Sequence, residues 1–287
     1  MSTNQKQFLP VKLAGGESSS VILQKVGDKK FVLKHSVRND LKREQIALKI
    51  AKKSGVAVTD VLSYKNGNLE LEFINGRNIE KSDLSDLFFK NLGIILQKLH
   101  TIKVSKVGEL ISPKQYSEKN WFNFLKAKLN IGINDLVRYR KIDKTEAKNF
   151  LDCWIVQFRK LQKRSFQPTL LHNDVHLDNI LITKNGKLYL IDFEDSFFGD
   201  PLYDLIAFSD FHPRLFPKLK KYYNNKAVLS NDWQEWFKVY EFIHWVNLCS
   251  FYVDIGKQKN YNRYLSKILN FCRQRKTCHR ILRDPAI

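Results

Sequence analysis

Apolar positions in the first 75 residues fall in short runs that carry β-branched or aromatic residues and are broken by turn formers, which predicts β-strands with one helix among them. The runs cover residues 8–14, 21–25, 31–35, 61–64 and 69–73. Gly15-Gly16 and Gly27-Asp28 separate the first three, and Lys65-Asn66-Gly67-Asn68 joins the last two. An Asn-Gly pair tolerates the positive φ angles of a tight turn, so this junction predicts a hairpin. Between the third and fourth runs, Leu41, Ile46, Ala47, Ile50 and Ala51 recur at helical spacing, with Asn39-Asp40 as an N-cap and Gly55 as a stop.

Ile74-Asn75-Gly76-Arg77 breaks this pattern, and apolar spacing then predicts helices over 83–101, 119–130 and 145–163. LLHNDVHLDNILI follows, and Lys184-Asn185-Gly186-Lys187 predicts a hairpin between ILIT and LYLID, closed by a two-residue Asn-Gly turn. From Pro201 the chain again reads as helical. The expected fold class is α+β: an N-terminal lobe of residues 1–75 with an antiparallel sheet and one helix, a joint near 74–79, and a larger, mainly helical lobe of 76–287. Together they form one domain, and a cleft between two such lobes is a common place for a ligand.

LLHNDVHLDNILI raises a chemical question, because two core-like apolar runs enclose six hydrogen-bonding or ionisable groups. Zinc is a poor answer. His172 and His176 have the spacing of a metal-binding helix, but the local pattern is strand, loop, strand, and no glutamate lies between them. Asp174, Asn179 and Asp192 together give a better one. Transfer of a γ-phosphoryl group needs a residue that orients the attacking hydroxyl and takes its proton, and hard oxygen ligands that hold Mg²⁺ on the phosphates. Asp174 suits the first task; Asn179 and Asp192 suit the second.

HNDVHLDNILI followed by LIDFEDSFFGDPLYDLI resembles the catalytic and metal-binding motifs of the aminoglycoside phosphotransferase and choline kinase superfamily, small-molecule kinases with a protein-kinase-like two-lobe fold. The resemblance implies that Asp174 is the catalytic base, that Asn179 and Asp192 bind magnesium, and that ATP and Mg²⁺ are required. FVLK places Lys34 at the family's phosphate-contacting lysine, and Glu44 matches the glutamate that pairs with it. LAGGESSSVI resembles the nucleotide-positioning loop, where Ser18, Ser19 and Ser20 would cradle phosphate oxygens. LELEFINGRNI resembles the joint that receives adenine, through the carbonyl of Glu72 and the amide of Ile74. His100 in LQKLHTI, His172 and Asp204 are expected to be structural; Asp200 caps the helix that Pro201 opens. His176, two residues past Asp174, is a candidate for the transferred phosphate, and Asp178 has no assignment.

The usual family form is HGD where this chain has HND, and Glu194 replaces the glycine of the protein-kinase Asp-Phe-Gly motif. No activation segment follows, so the resemblance points to a nucleotide and a small-molecule hydroxyl as the two partners. Choline or another amino alcohol, an aminoglycoside and a sugar-like compound are the acceptors in view. Trp233, Trp236, Tyr240 and Glu241, in NDWQEWFKVYEFIHWVNL, form either an aromatic cage for an amine or an ordinary helix core. The competing reading is a nucleotide-binding regulatory module of the same fold without catalysis; the intact set Lys34, Glu44, Asp174, Asn179 and Asp192 argues against it.

Composition changes this picture little. A hydrophobic content of 43% in 287 residues suffices for a sizeable core, and four cysteines without CxxC spacing read as free thiols. Residues 1–10 lack the apolar core of a signal peptide, and no apolar run nears the roughly 20 residues of a membrane span, so a cytoplasmic location is expected. The net charge of +20 would repel a polycationic acceptor at long range. Contact with nucleic acid or an anionic membrane is the lesser reading of that charge, against a lysine-rich solvated surface; the oligomeric state, monomer or dimer, is left open.

Overall fold

The computed structural model describes residues 11–13, 19–36, 40–110, 120–159, 165–230 and 232–274. The first sheet is antiparallel, in the order β1 (Val11–Lys12), β2 (Ser19–Val26), β3 (Lys29–Ser36), β5 (Asn68–Glu72), β4 (Val61–Lys65). Of the strand expected over 8–14, the described part is β1; residues 14–18, with Gly15, Gly16 and Ser18, lie outside the described residues. Asn66 and Gly67 have φ of 53° and 75° and close the β4–β5 hairpin between paired Lys65 and Asn68, which is the two-residue turn that Asn-Gly favours.

Helix α1 (Lys42–Lys53) lies between β3 and β4 in chain order and buries Glu44, Ala47, Leu48 and Ala51, one face at helical spacing. Asp40 Oδ1 accepts from the Lys42 amide at its start; Asn39 lies outside the described residues. Gly55, at φ 71°, ends it: the Gly55 amide donates to Lys52 O and the Val56 amide to Ala51 O.

The expected joint holds a strand. β6 (Gly76–Asn78) pairs with β9 (Ile180–Thr183), which pairs with β10 (Leu188–Leu190), so a segment read as a break completes the sheet around the polar loop. Gly76 lets the two strands approach closely, since a Cβ there would sit 3.1 Å from Ile182 O. The β9–β10 connection also differs from the expected two-residue turn. Only Gly186 has positive φ (78°), its amide donates to Thr183 O, and the loop is a three-residue one with glycine in the left-handed position.

Helix α2 (Asp86–Leu99) is capped by Ser85 Oγ on the Phe88 amide and buries Phe88, Phe89, Leu92, Gly93, Leu96 and Leu99. A third sheet, unforeseen in the sequence, joins β7 (Gly108–Glu109), β8 (Thr169–Leu171) and β11 (Phe197–Gly199) in the order β7-β11-β8. Helix α3 (Trp121–Arg138) runs beyond the predicted end at 130 because Gly132, Ile133 and Leu136 continue its buried face. Helices α4 (Lys144–Arg159), α5 (Asp204–Phe211), α6 (Phe216–Tyr222), α7 (Trp233–Asp254) and α8 (Gln258–Arg273) complete the chain.

Two compact units result: Met1–Ser117 with Pro168–Asn225, and Glu118–Gln167 with Lys226–Ile287. The division at residue 75 expected from the sequence lies inside the first unit. No helix among the described residues is long and apolar enough to cross a membrane.

Two helical glycines mark close approaches, one in each unit. A Cβ on Gly93 would lie 2.8 Å from the backbone of Tyr222, so α2 and α6 touch main chain to side-chain-free surface. A Cβ on Gly132 would instead meet side-chain ends, Val246 Cγ1 and Asn247 Oδ1, both at 2.9 Å. Gly→Ala at an uncrowded helix site stabilises by about 1 kcal/mol. Gly93→Ala should reverse that sign and destabilise by roughly 1–3 kcal/mol, since backbone must move, while Gly132→Ala should be nearer neutral. Denaturant unfolding of the two variants reads the difference; equal effects would contradict the α2–α6 contact.

Candidate active site

Lys34 lies in the middle of the first sheet, paired across to Val21 and Leu69, and is only 4% exposed. An ammonium buried to that degree requires anionic partners, and Lys34 has three. Its Nζ lies 2.8 Å from Glu44 Oε2, 2.6 Å from Asp192 Oδ1 and 3.2 Å from Glu194 Oε2. Burial opposes the charge, but the three carboxylates outweigh it and hold the lysine above its usual range. Glu44, on α1, is buried as well, and its Oε1 accepts from the Phe193 amide at 3.2 Å. Burial and the neighbouring Asp192 and Glu194 raise Glu44 above the usual carboxylate range, against the pull of Lys34. Ser19 Oγ donates to Glu194 Oε2 at 2.7 Å, tying the start of β2 to the same cluster.

The carboxylates of Glu44, Asp192 and Glu194 have ligand atoms within 4.8 Å of one another, close enough to share a cation. The ammonium of Lys34 bonds all three. One positive charge against three negative ones leaves an excess of negative charge, which suits a divalent cation as a further neighbour.

The loop 172–179 is fixed from below by Asp204, whose side chain is fully buried at the start of α5. Asp204 Oδ2 accepts from the His172 amide at 2.9 Å and lies 3.0 Å from His100 Nε2, and Oδ1 accepts from the Asn173 amide. His100 Nδ1 in turn lies 2.6 Å from the hydroxyl of Tyr223. Asn173 has φ 69°, a conformation open to glycine and, among other residues, chiefly to asparagine and aspartate. That explains how HND stands in place of HGD.

His172 Nε2 donates to Ile191 O at 2.8 Å, its Nδ1 accepts from the Asp174 amide at 3.3 Å, and its ring centroid is 4.4 Å from that of Phe193. The Ile191 amide donates to Asn179 O at 3.0 Å. Asn179 Nδ2 donates both to Asp174 O (2.9 Å) and to Asp174 Oδ2 (2.8 Å). Both partners are acceptors, so the amide nitrogen must face Asp174, and Oδ1 is left as the outward oxygen. Asp192, one residue past Ile191, adopts φ 66° as it turns toward Lys34.

The other predicted residues are placed as follows. Ser20 lies in β2 opposite His35. The Glu72 carbonyl accepts from Thr59 Oγ1 at 2.7 Å, and Ile74 O accepts from the Gly76 amide. Asp200 Oδ1 caps the Leu202 amide at 2.9 Å with Pro201 at the first helical position. Trp233, Trp236, Tyr240 and Glu241 are all on α7 in the second unit, whereas Lys34, Glu44, Asp174, Asn179 and Asp192 are in the first. Trp236 and Tyr240 are core residues: Tyr240 accepts from Trp121 Nε1 at 2.8 Å, and Trp236 packs edge-on to Phe158. Trp233 packs edge-on to Phe237.

Sequence reasoning gave no role to Glu194, Tyr223 or His212. Glu194 carried a signal, an acid two positions after Asp192. Tyr223 and His212 carried none, since their partners His100 and Leu177 are remote in sequence.

The chain matches the model of the Phosphotransferase enzyme family over residues 11–236, and it belongs to that family. No curated protein matches it in sequence. Among solved structures, a thermostable mutant of aminoglycoside phosphotransferase APH(4)-Ia in its apo form is similar at TM-score 0.70 and 14% identity, covering 94% of this chain and 95% of the other. Choline kinase LicA from Streptococcus pneumoniae is similar at TM-score 0.67 and 16% identity, covering 93% and 94%. A ternary complex of APH(4)-Ia with AMP-PNP and hygromycin B is similar at TM-score 0.66 and 15% identity, covering 92% and 93%. These likenesses establish the fold, which is the α+β, protein-kinase-like two-lobe fold expected from the sequence.

Asp204→Asn keeps the shape of the side chain but turns one acceptor into a donor facing N–H groups. Each buried donor left without an acceptor costs roughly 1–3 kcal/mol, so this variant should lose at least that much in denaturant unfolding. Tyr223→Phe, which removes one hydroxyl at the far end of the same chain of bonds, should lose less. The reverse order would show that the loop is not anchored through Asp204.

Proposed function

We propose that the protein is an ATP- and magnesium-dependent kinase that transfers the γ-phosphoryl group to a hydroxyl of a small molecule. The observation that carries this reading is the Ile191 peptide, which bonds the loop on both sides, to His172 through its carbonyl and to Asn179 through its amide. It couples the Asp174–Asn179 pair to Asp192, and Asp192 to Lys34 and Glu44. In this reading Asp174 orients the acceptor hydroxyl and takes its proton as the bond to phosphorus forms.

Lys34, held at fixed depth by Glu44, contacts the α- and β-phosphates. Ser19 and Ser20, at the start of β2, offer hydroxyls to the phosphates, as Ser18 would from the segment before them, and the Glu72 carbonyl and Ile74 amide receive the base. Asn179 Oδ1 and the Asp192 carboxylate are hard oxygen donors suited to Mg²⁺, and the excess negative charge around Lys34 favours its entry. Bound there, magnesium would screen the phosphate charge. His172, Asp200 and Asp204 support the loop.

The acceptor is an amino alcohol such as choline, an aminoglycoside or a sugar-like alcohol. The similar structures support both halves of the reaction: LicA is a choline kinase, and APH(4)-Ia binds AMP-PNP together with hygromycin B.

Acceptor-dependent release of ADP, screened over amino alcohols, sugars and aminoglycosides with and without a magnesium chelator, tests the proposal. Asp174→Asn should lower kcat by about 10²–10⁴-fold, the range expected of a general base, while magnesium-ATP still binds. Undiminished turnover in that variant would remove Asp174 from its role.

A further inference from the structure

His176 and Asp178 are the two loop residues that the kinase reading leaves over. His176 Nε2 lies 3.2 Å from Asp174 Oδ2, the same oxygen that accepts from Asn179 Nδ2. Its other ring nitrogen, Nδ1, lies 3.3 Å from the Asp178 amide. A backbone amide can only donate, so Nδ1 must accept, and the proton of the neutral ring sits on Nε2, aimed at Asp174. The ring packs on Phe211 with centroids 5.3 Å apart. Next to it, His212 Nε2 accepts from the Leu177 amide at 3.2 Å and so fixes the turn that carries His176.

We propose that His176 is a positioning residue for phosphoryl transfer: its Nε2–H and Asn179 together hold Asp174 by one carboxylate oxygen, which aims the other at the acceptor hydroxyl. The Asp178 amide sets the tautomer and His212 sets the turn. This role rests on Asp174 being the base.

Geometry of this kind matters because a base works only within hydrogen-bond reach of its proton. Two donors on Oδ2 define the plane of the carboxylate and thereby the direction of Oδ1. The protonation state of the positioning ring then matters too. A neutral ring donates without adding charge, whereas an imidazolium beside Asp174 would make it a poorer proton acceptor.

The charged groups around the ring are Asp174, Asp178 and Asp192, with His212 as the neighbouring imidazole. Burial alone would lower His176, but the hydrogen bond to Asp174 and the three carboxylates raise it above the usual histidine value. His212 is lowered, by burial and by His176. The signs therefore oppose each other.

The experiment compares His176→Ala and His176→Gln with the wild type in kcat and acceptor KM, together with side-chain NMR of the histidines. A misplaced reacting group costs up to about 10²-fold in rate, so His176→Ala should lose about 10- to 100-fold in kcat with little change in acceptor KM. Glutamine can donate to Asp174 and should recover most of the loss. In NMR, neutral wild-type His176 should carry its proton on Nε2 with the signature of a hydrogen bond to a carboxylate, and that signature should weaken in Asp174→Asn.

A rise in acceptor KM at unchanged kcat would make His176 a substrate contact and overturn the proposal. Equal losses in Ala and Gln with a lowered melting temperature would reduce it to packing, which also overturns it. Turnover without the NMR coupling to Asp174 would overturn the positioning role alone; coupling without turnover on any acceptor would overturn the kinase reading and the role built on it.

Discussion

Asp204 is a carboxylate with no exposed surface, and the shape of the loop that holds Asp174 follows from how that buried charge is satisfied. A charge taken out of water must be met by hydrogen bonds or it is too costly to keep. Here the amides of His172 and Asn173 and the ring of His100 meet it. Two consecutive amides can point at one carboxylate only if the chain turns sharply, and Asn173 takes the left-handed conformation that makes the turn. Asp174 is then presented on the far side, with 35% of its side chain exposed. The polar crowding of the loop is thus divided in two: part of it solves a folding problem below, while Asp174 and Asp178 reach solvent.

The same division explains the charge cluster around Lys34. Strand β3 contributes the lysine, α1 contributes Glu44, and the segment after β10 contributes Asp192 and Glu194. Three carboxylates on one ammonium do not form a relaxed set. Glu44 is pushed up because burial and like charges outweigh its one cation. An arrangement that is over-supplied with negative charge is poor for stability alone, since a well-packed apolar cluster would serve at least as well. It is an arrangement suited to the further cation proposed above.

Much of this was legible in the sequence, for reasons that differ by element. The β4–β5 hairpin and the end of α1 were legible because Asn66-Gly67 and Gly55 solve local conformational problems. β6 was not, because its pairing partner Thr183 is far along the chain and three residues carry no period of their own. The C-terminal half of α3 was hidden by Gly132, which looks like a breaker until the side chains of Val246 and Asn247 are seen against it. In the site, Asp174, Asn179 and Asp192 were grouped by the chemistry they share. Asp204, Lys34 and Glu44 were picked out by family resemblance, and their hydrogen bonds by nothing in the local pattern.

Net charge and site charge point in opposite directions, and the contrast bears on the acceptor. The first unit has 26 Lys and Arg against 19 Asp and Glu; the second has 23 against 10. Yet the carboxylates Glu44, Asp192 and Glu194 gather in the first unit, which is the less basic of the two. A basic field raises the encounter rate of anions such as nucleoside triphosphates and lowers that of polycations. A singly charged amino alcohol is affected far less than an aminoglycoside with several ammonium groups, because the long-range penalty scales with ligand charge. Salt screens such fields beyond about 8 Å at physiological ionic strength, so the bias acts on approach, and the contacts in the pocket still decide the final choice. Among the acceptors proposed, the charge therefore favours a ligand with few positive groups.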